Sequence, residues 1–117
     1  MKTIKGDLKL TKDTAFNESI EVRGNITGYY NLKVNGNISA LNIDAHSIDA
    51  WDIHALNIDA FDIDAWNINA WNIDAWNINA QDMIYCEKII LKEDGKIKAR
   101  ILIQNRLKFK RKEWKNE

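Results

Sequence analysis

The chain has 117 residues with 17 basic and 17 acidic side chains, so its formal net charge is zero and indicates no class of partner. Its single cysteine excludes an intrachain disulfide framework and a cysteine zinc site within one chain. We expect one cytoplasmic domain spanning residues 1–117 with no membrane partner, because neither a secretory leader nor an apolar run of about 18 residues is visible.

The charges are segregated along the chain. Residues 34–85 contain eight Asp and no Lys or Arg, whereas residues 86–117 contain eleven basic and five acidic side chains. The first 33 residues are mildly basic. An acidic centre between basic ends is therefore the main charge asymmetry of this neutral chain.

The first third of the chain alternates between apolar and polar residues with a period of two. Every second residue is apolar or Gly in 4–10, 20–28 and 32–40, which predicts strands with one buried face. The stretches VRGNITG and VNGNISA are near copies, twelve residues apart. We therefore expect N-terminal cap strands in 1–20 and a repeat that begins close behind them.

A five-residue period governs residues 37–83. Ile recurs at every fifth position from Ile38 to Ile78, with Met83 next, and Ala recurs from Ala40 to Ala80. A helix would show a period of 3.6 and a flat strand a period of two. A period of five predicts a short strand plus a corner, repeated in coils over residues 20–85: an all-β parallel β-helix.

The period decays after Met83. Two strands are predicted at 88–92 and 96–103, joined by a turn at Asp94-Gly95. Solenoids need atypical ends that cover the last open coil. We therefore interpret residues 86–117 as a C-terminal cap made of this β-hairpin and a basic tail.

The unit IDAFD at 58–62 resembles the pentapeptide-repeat family, and the similarity covers about residues 37–83. The resemblance implies a right-handed β-helix with four pentapeptides per coil, although the order of large and small inward residues is swapped here. Four sides would stack residues twenty apart, with Trp71 over Trp51. Three sides would stack residues fifteen apart, with Trp66 over Trp51. The early V-x-G-N-I stretches look like bactofilins, more weakly.

Because successive side chains of a strand point to opposite faces, Ile and Ala of each unit are predicted to lie inside and the aromatic residues outside. A close-packed narrow coil has no room for a tryptophan on every side. Outward indoles either form a binding surface, as interface hot spots do, or stack along the helix and stabilise it. The candidate contacts are Trp51, Phe61, Trp66, Trp71 and Trp76.

The acidic residues have two interpretations. Asp and Asn side chains stabilise tight corners and solvate outer faces. Alternatively, a rod imitates the charge of DNA, as some pentapeptide-repeat proteins do when they bind gyrase, and it carries Asp44, Asp49, Asp52, Asp59, Asp62, Asp64, Asp74 and Asp82. The candidate contacts among them are Asp44, Asp59, Asp62 and Asp64. On this view the eight Asp are expected to form a thinner display than the duplex, which carries about one charge per 1.7 Å.

The basic tail is a possible contact for nucleic acid or an acidic protein, although a solvated cap explains it as well. Head-to-tail contact with an acidic coil is a third interpretation. The residues concerned are Arg106, Lys108, Lys110, Arg111 and Lys112.

Catalytic and metal motifs are missing from the sequence. His46 and His54 belong to no metal motif, and Cys86 has no evident His partner. We expect no enzyme, no metal and no cofactor. The sequence favours a β-helix that binds another protein, most concretely an inhibitor of a nucleic-acid-acting enzyme, in a gyrase-binding, anti-defence or anti-CRISPR role. The alternative is a self-assembling, bactofilin-like scaffold that associates through its Trp faces or caps.

Overall fold

A computed structural model describes residues 1–104 and 110–115, and every regular element in them is a β-strand. The strands are β1 (Lys2–Ile4), β2 (Leu8–Lys9), β3 (Thr14–Phe16), β4 (Ile20–Val22), β5 (Asn25–Thr27), β6 (Asn31–Val34), β7 (Ile38–Ser39), β8 (Asn42–Asp49), β9 (Asp52–His54), β10 (Asn57–Asn69), β11 (Asn72–Tyr85), β12 (Lys88–Gln104) and β13 (Lys110–Lys115). All neighbouring pairs are parallel except β12 with β13. The chain is therefore a parallel β-solenoid of about six turns, as predicted.

The coil has three sides. Ile58 of β10 lies beside Ile43 of β8 and Ile73 of β11, so the register is fifteen residues. The four-sided coil implied by the family resemblance is wrong, and its ladders at twenty residues do not form. A four-sided coil would enclose a wider interior, which Ala at every second inward position would leave underpacked. The handedness stays a prediction.

The first coils are wider than the later ones. Lys2 pairs with Ile20 and Ile20 with Ile38 at eighteen residues, whereas Ile38 pairs with Ile53 at fifteen. Each side therefore shortens from six residues to five near residue 40. Residues 1–20 are not separate cap strands, because β1 to β3 form the first coil and stack on β4 to β6.

The interior is built from one Ile and one Ala on each side of the pentapeptide coils. The inward Ile side chains are at most 2 % exposed, and the inward Ala side chains are buried throughout. Fully burying one Ile stabilises the fold by about 1.5–3 kcal/mol. The predicted parity, with Ile and Ala inside and the aromatic residues outside, is confirmed.

The predicted hairpin at 88–92 and 96–103 does not form. Both stretches belong to β12 and pair in parallel with β11, Lys88 beside Asn72 and Lys96 beside Asn77. They are successive sides of one further coil, and Asp94 takes a positive φ of 65° at the corner between them. Gly95 is required there, because a Cβ would collide with the carbonyl oxygen of Trp76. An antiparallel pair does close this end, between β12 and β13.

Disulfide trapping tests the number of sides. Adjacent strands lie about 4.8 Å apart, within the Cα separation of about 4.4–6.8 Å that a disulfide needs. With Cys86 replaced by Ala, the pair Asp52→Cys and Asn67→Cys should oxidise within one molecule. The pair Asp52→Cys and Asn72→Cys, twenty residues apart, should stay reduced. Mass spectrometry of the oxidised proteins reads the result, and the reverse pattern would restore the four-sided coil.

Candidate functional site

The triangular section gives the pentapeptide coils three outer faces with different chemistry. The first acidic face carries Asp44, Asp59 and Asp74. The second acidic face carries Asp49, Asp64 and Asn79. The neutral face carries Ser39, His54, Asn69 and Tyr85. Period-two alternation turns these side chains outward, and the fifteen-residue register stacks them.

Three aspartates stand in a column on the first acidic face. Asp44, Asp59 and Asp74 are neighbours on successive coils, about 4.8 Å apart along the axis. Lys92 Nζ lies 3.0 Å from Asp74 Oδ1 and neutralises one end of the column. Loss of solvent raises the pKa of Asp59 above its ordinary value, the charges of Asp44 and Asp74 raise it further, and Lys92 opposes them. The column is therefore electrostatically unfavourable in the folded state.

The second acidic face repeats this arrangement with two aspartates. Asp49 stacks on Asp64, with Lys33 before them and Asn79 after them. Loss of solvent raises the pKa of Asp64, and the charge of Asp49 adds to the effect. Asp49 was not among the candidate contacts. Its spacing of fifteen residues from Asp64 is the signal that would have found it.

Asn and Asp residues at the corners form hydrogen-bonded ladders. Asn42 donates to Asn25, Asn57 to Asn42 and Asn72 to Asn57 through side-chain amides at 2.7–2.8 Å. The candidate contact Asp62 belongs to such a ladder, because its Oδ1 accepts from Asn77 Nδ2 at 2.8 Å. The interpretation that Asp and Asn side chains stabilise the corners therefore accounts for the presence of Asp62. It does not explain Asp44, Asp49, Asp59 or Asp64.

The aromatic residues divide between two kinds of edge. The stacked edge, His46, Phe61 and Trp76, separates the two acidic faces. Its ring centroids lie 5.4 Å and 5.2 Å apart with nearly parallel planes, and Tyr29 meets His46 edge-on at 5.0 Å. Stacked pairs contribute about 0.5–1.5 kcal/mol each. Phe61 and Trp76 therefore have a structural role whether or not they also contact a partner.

The tryptophan edge and the leucine edge border the neutral face. The tryptophan edge consists of Trp51 and Trp66, which are 56 % and 58 % exposed. The leucine edge consists of Leu41, Leu56 and Trp71, also exposed. Backbone hydrogen bonds from Trp66 to Trp51 and from Trp71 to Leu56 hold each edge in register. Trp51 and Trp66 make no ring contact with another described aromatic residue.

Only three of the five candidate residues in the basic tail lie within the described residues. Lys110, Arg111 and Lys112 lie on β13, opposite Gln104, Ile103 and Leu102 of β12. Arg106 and Lys108 lie outside the described residues. The described part of the tail thus belongs to the strand that closes the C-terminal end.

The axial charge density of the acidic coils is close to that of duplex DNA. The coil 42–56 contains three Asp, and so does the coil 57–71. At a rise of about 4.8 Å per coil, this is one charge per ~1.6 Å, against one per ~1.7 Å in the duplex. Asp52 borders the neutral face, so the other five Asp, which lie on or beside the acidic faces, give one charge per ~1.9 Å, still close to the value for the duplex.

The described residues contain no group of three potential ligands that could hold a metal ion. His46 lies on the stacked edge and His54 on the neutral face, so the two imidazoles are on different parts of the coil. Cys86 is fully buried. The described residues also form no helix long and apolar enough to cross a membrane.

Comparisons of the chain with family models, with curated proteins and with solved structures found no match. The resemblances to pentapeptide-repeat proteins and to bactofilins therefore stay predictions from sequence pattern. The solenoid rests on strand register and burial alone.

Neutralising the Asp columns should stabilise the protein at neutral pH. A carboxyl whose pKa is raised on folding binds its proton more readily in the folded state, so stability falls as pH rises through that pKa. The double variant Asp59→Asn, Asp64→Asn should therefore melt higher than the wild type at pH 7. The difference should narrow as pH falls toward about 4, where an ordinary Asp is half protonated.

Thermal unfolding at low salt, followed by circular dichroism across this pH range, measures the effect. Asp13→Asn is the matched control, because an amide oxygen keeps the bond that Asp13 Oδ1 accepts from the backbone N–H of Asn31. The control should change the melting temperature little. A double variant that melts lower than the wild type at pH 7 would contradict the expectation.

Proposed function

We propose that this protein is a non-enzymatic binding protein whose two acidic faces bind a basic surface of a nucleic-acid-acting protein in place of nucleic acid. The observation that carries the proposal is the duplex-like axial charge density of the coils 42–56 and 57–71. An inhibitor of gyrase or an anti-defence protein is the concrete form of this role.

The arrangement of the charges supports the proposal beyond their number. Asp44 and Asp59 stand on one side of the stacked edge, and Asp49 and Asp64 stand on the other. Two rows of charge thus run parallel along a ridge, as two phosphate strands run along a groove. The charges in one row are about 4.8 Å apart, against about 3.4 Å in one DNA strand.

The cost of these columns is a second support. Like charges that face each other on neighbouring strands destabilise a sheet. Asn at the same positions would avoid the repulsion, as the Asn25–Asn72 ladder does elsewhere on the coil. A fold that keeps Asp44, Asp49, Asp59 and Asp64 at a cost to stability is consistent with a role for their charge in binding. Such charge accelerates association with a basic partner and makes it sensitive to salt.

The proposed site covers a short length of DNA. From Asp44 to Asp74 the column spans two coil steps, about 10 Å, which equals roughly three base pairs. Positive charge bounds one end of each column, because Lys92 pairs with Asp74 on the first acidic face and Lys33 stands beside Asp49 on the second. The partner surface that fits is therefore a local basic cleft and not a long DNA-binding track.

Displacement from DNA tests the proposal. Host proteins are loaded on duplex DNA-cellulose at low salt and eluted with this protein. The wild type should release a DNA-binding protein, identified by mass spectrometry, and should inhibit its activity on DNA. The variant Asp44→Asn, Asp49→Asn, Asp59→Asn, Asp64→Asn should release at least tenfold less at equal concentration.

The matched control removes the same charge elsewhere. Asp7→Asn, Asp13→Asn, Glu18→Gln, Glu21→Gln changes four acids of the first coils and leaves both acidic faces intact. This variant should elute the same protein as the wild type. Equal release by the two variants, or no release by the wild type, would refute the proposal.

The second candidate function is the bactofilin-like scaffold, and the exposed tryptophan edge favours it. Growth by stacking of coil ends is opposed by the N-terminal end, where the outer edge strands β1 and β2 carry Lys2 and Lys9. Lysine on an edge strand opposes pairing with another chain. At the other end, β13 occupies one edge of β12. Filaments seen by electron microscopy in solutions of the purified protein would favour the scaffold.

A further inference from the structure

On the pentapeptide coils the neutral face carries no charge on its floor, unlike the two acidic faces, and Glu21 follows Ser39 toward the N-terminal end. Its central side chains are Ser39, His54 and Asn69, stacked in register. At its border Asp82 forms an ion pair with Arg100 at 2.7 Å, and Asp52 Oδ1 accepts from the uncharged amide of Asn67 at 2.9 Å. Bringing another surface onto this floor therefore requires no desolvation of an unpaired aspartate column.

Both borders of the neutral face are apolar and exposed. The tryptophan edge runs along one side and the leucine edge along the other, and their five side chains are each between 38 % and 58 % exposed. Half of the ten exposed large apolar side chains among the described residues border this one face. Exposed apolar side chains gathered along both borders of one face in this way indicate an interaction site.

A depression lies on the tryptophan side of the face. It has a volume of about 590 Å³ and is lined by Asn37, Trp51, Asp52, Trp66 and Asn67. Two indoles beside a hydrogen-bonded polar ladder form an apolar pocket with a polar border. Interface hot spots have this form, with an apolar anchor seated in a pocket that the surrounding contacts close to water.

The charge distribution indicates which molecule binds the neutral face. Two copies that met through their acidic faces would bring four or more aspartates together, at a cost that low dielectric increases. The neutral face is the one side of the pentapeptide coils on which two copies meet without that repulsion. A two-fold axis along the solenoid would also set the leucine edge of each copy against the tryptophan edge of the other, which makes the interface self-complementary.

The size of the face agrees with a reversible dimer. The neutral face has four strands about 4.8 Å apart and one five-residue side of about 17 Å, which gives a plane area of roughly 300 Å². Burying it on both copies removes roughly 600–700 Å² from solvent, below the standard range of specific interfaces, about 1,200–2,000 Å². We therefore expect weak association, with a dissociation constant between about 10 µM and 1 mM, because buried area alone does not set affinity.

We propose that two copies of this chain associate through the neutral face, with the tryptophan edge of one copy packed on the leucine edge of the other. The dimer buries Trp51, Trp66 and Trp71 and leaves the acidic faces of both copies outward. The aromatic residues of the stacked edge pack on each other, whereas Trp51 and Trp66 make no ring contact with another described aromatic residue and are exposed for this association. The association holds independently of whether the acidic faces bind a basic partner.

Sedimentation equilibrium over a range of concentrations tests the dimer without any other protein. The wild type should change from monomer to dimer between about 10 µM and 1 mM. The variant Trp51→Ala, Trp66→Ala should weaken association at least tenfold. The matched control is Trp76→Ala, which removes an exposed indole from the stacked edge and should keep the wild-type constant.

A second variant tests the interface independently, in case the tryptophan double variant does not fold. His54→Lys leaves both edges intact and places two like charges in the interface, and it should also weaken association at least tenfold. Circular dichroism checks that each variant keeps the strand signal. A wild type that stays monomeric to about 1 mM would overturn the proposal. So would a dimer that Trp76→Ala disrupts and His54→Lys does not, or a neutral face that binds only a different macromolecule.

Discussion

The structure depends on the packing of one Ile and one Ala from each of three short sides into a narrow interior. The Ile side chains fill the centre, and the small Ala next to each corner lets the chain turn after five residues. The first coils, with Leu10, Val22 or Val34 at the second inward position, need six residues on each side. Gly28 takes the same position on another six-residue side, so the size of this inward residue does not by itself set the length of the coil.

A strict fifteen-residue coil converts every outward residue into a column. Where the column contains Asn, each side chain hydrogen-bonds to the next, and the repetition stabilises the fold. Where it contains Asp, the same stacking multiplies repulsion, as the raised pKa of Asp59 and Asp64 shows. Stacking therefore multiplies a favourable contact between Asn side chains and an unfavourable contact between Asp side chains. The Asp columns are informative about function, because core packing does not require Asp at these outward positions.

The three edges show that identical repeats acquire different roles from their position in the coil. Trp66, Trp71 and Trp76 occupy the same place in successive pentapeptides. Trp76 stacks on Phe61, Trp71 extends the leucine edge, and Trp66 stands above Trp51. No feature of the pentapeptide distinguishes them. Their neighbours fifteen residues away do, and so the candidate contacts that looked alike in the sequence belong to three different surfaces.

The fold class, the inward Ile and Ala, the outward aromatic residues and the acidic centre could all be predicted from the order of the residues. These follow from the direction of alternate side chains in a strand, which is a local property. The number of sides, the parallel course of residues 88–103 and the neighbours of each aspartate and tryptophan became known only from the folded coil. Those features depend on how many pentapeptides close one coil, and closure is set by packing between residues fifteen or more positions apart, which a five-residue period does not specify.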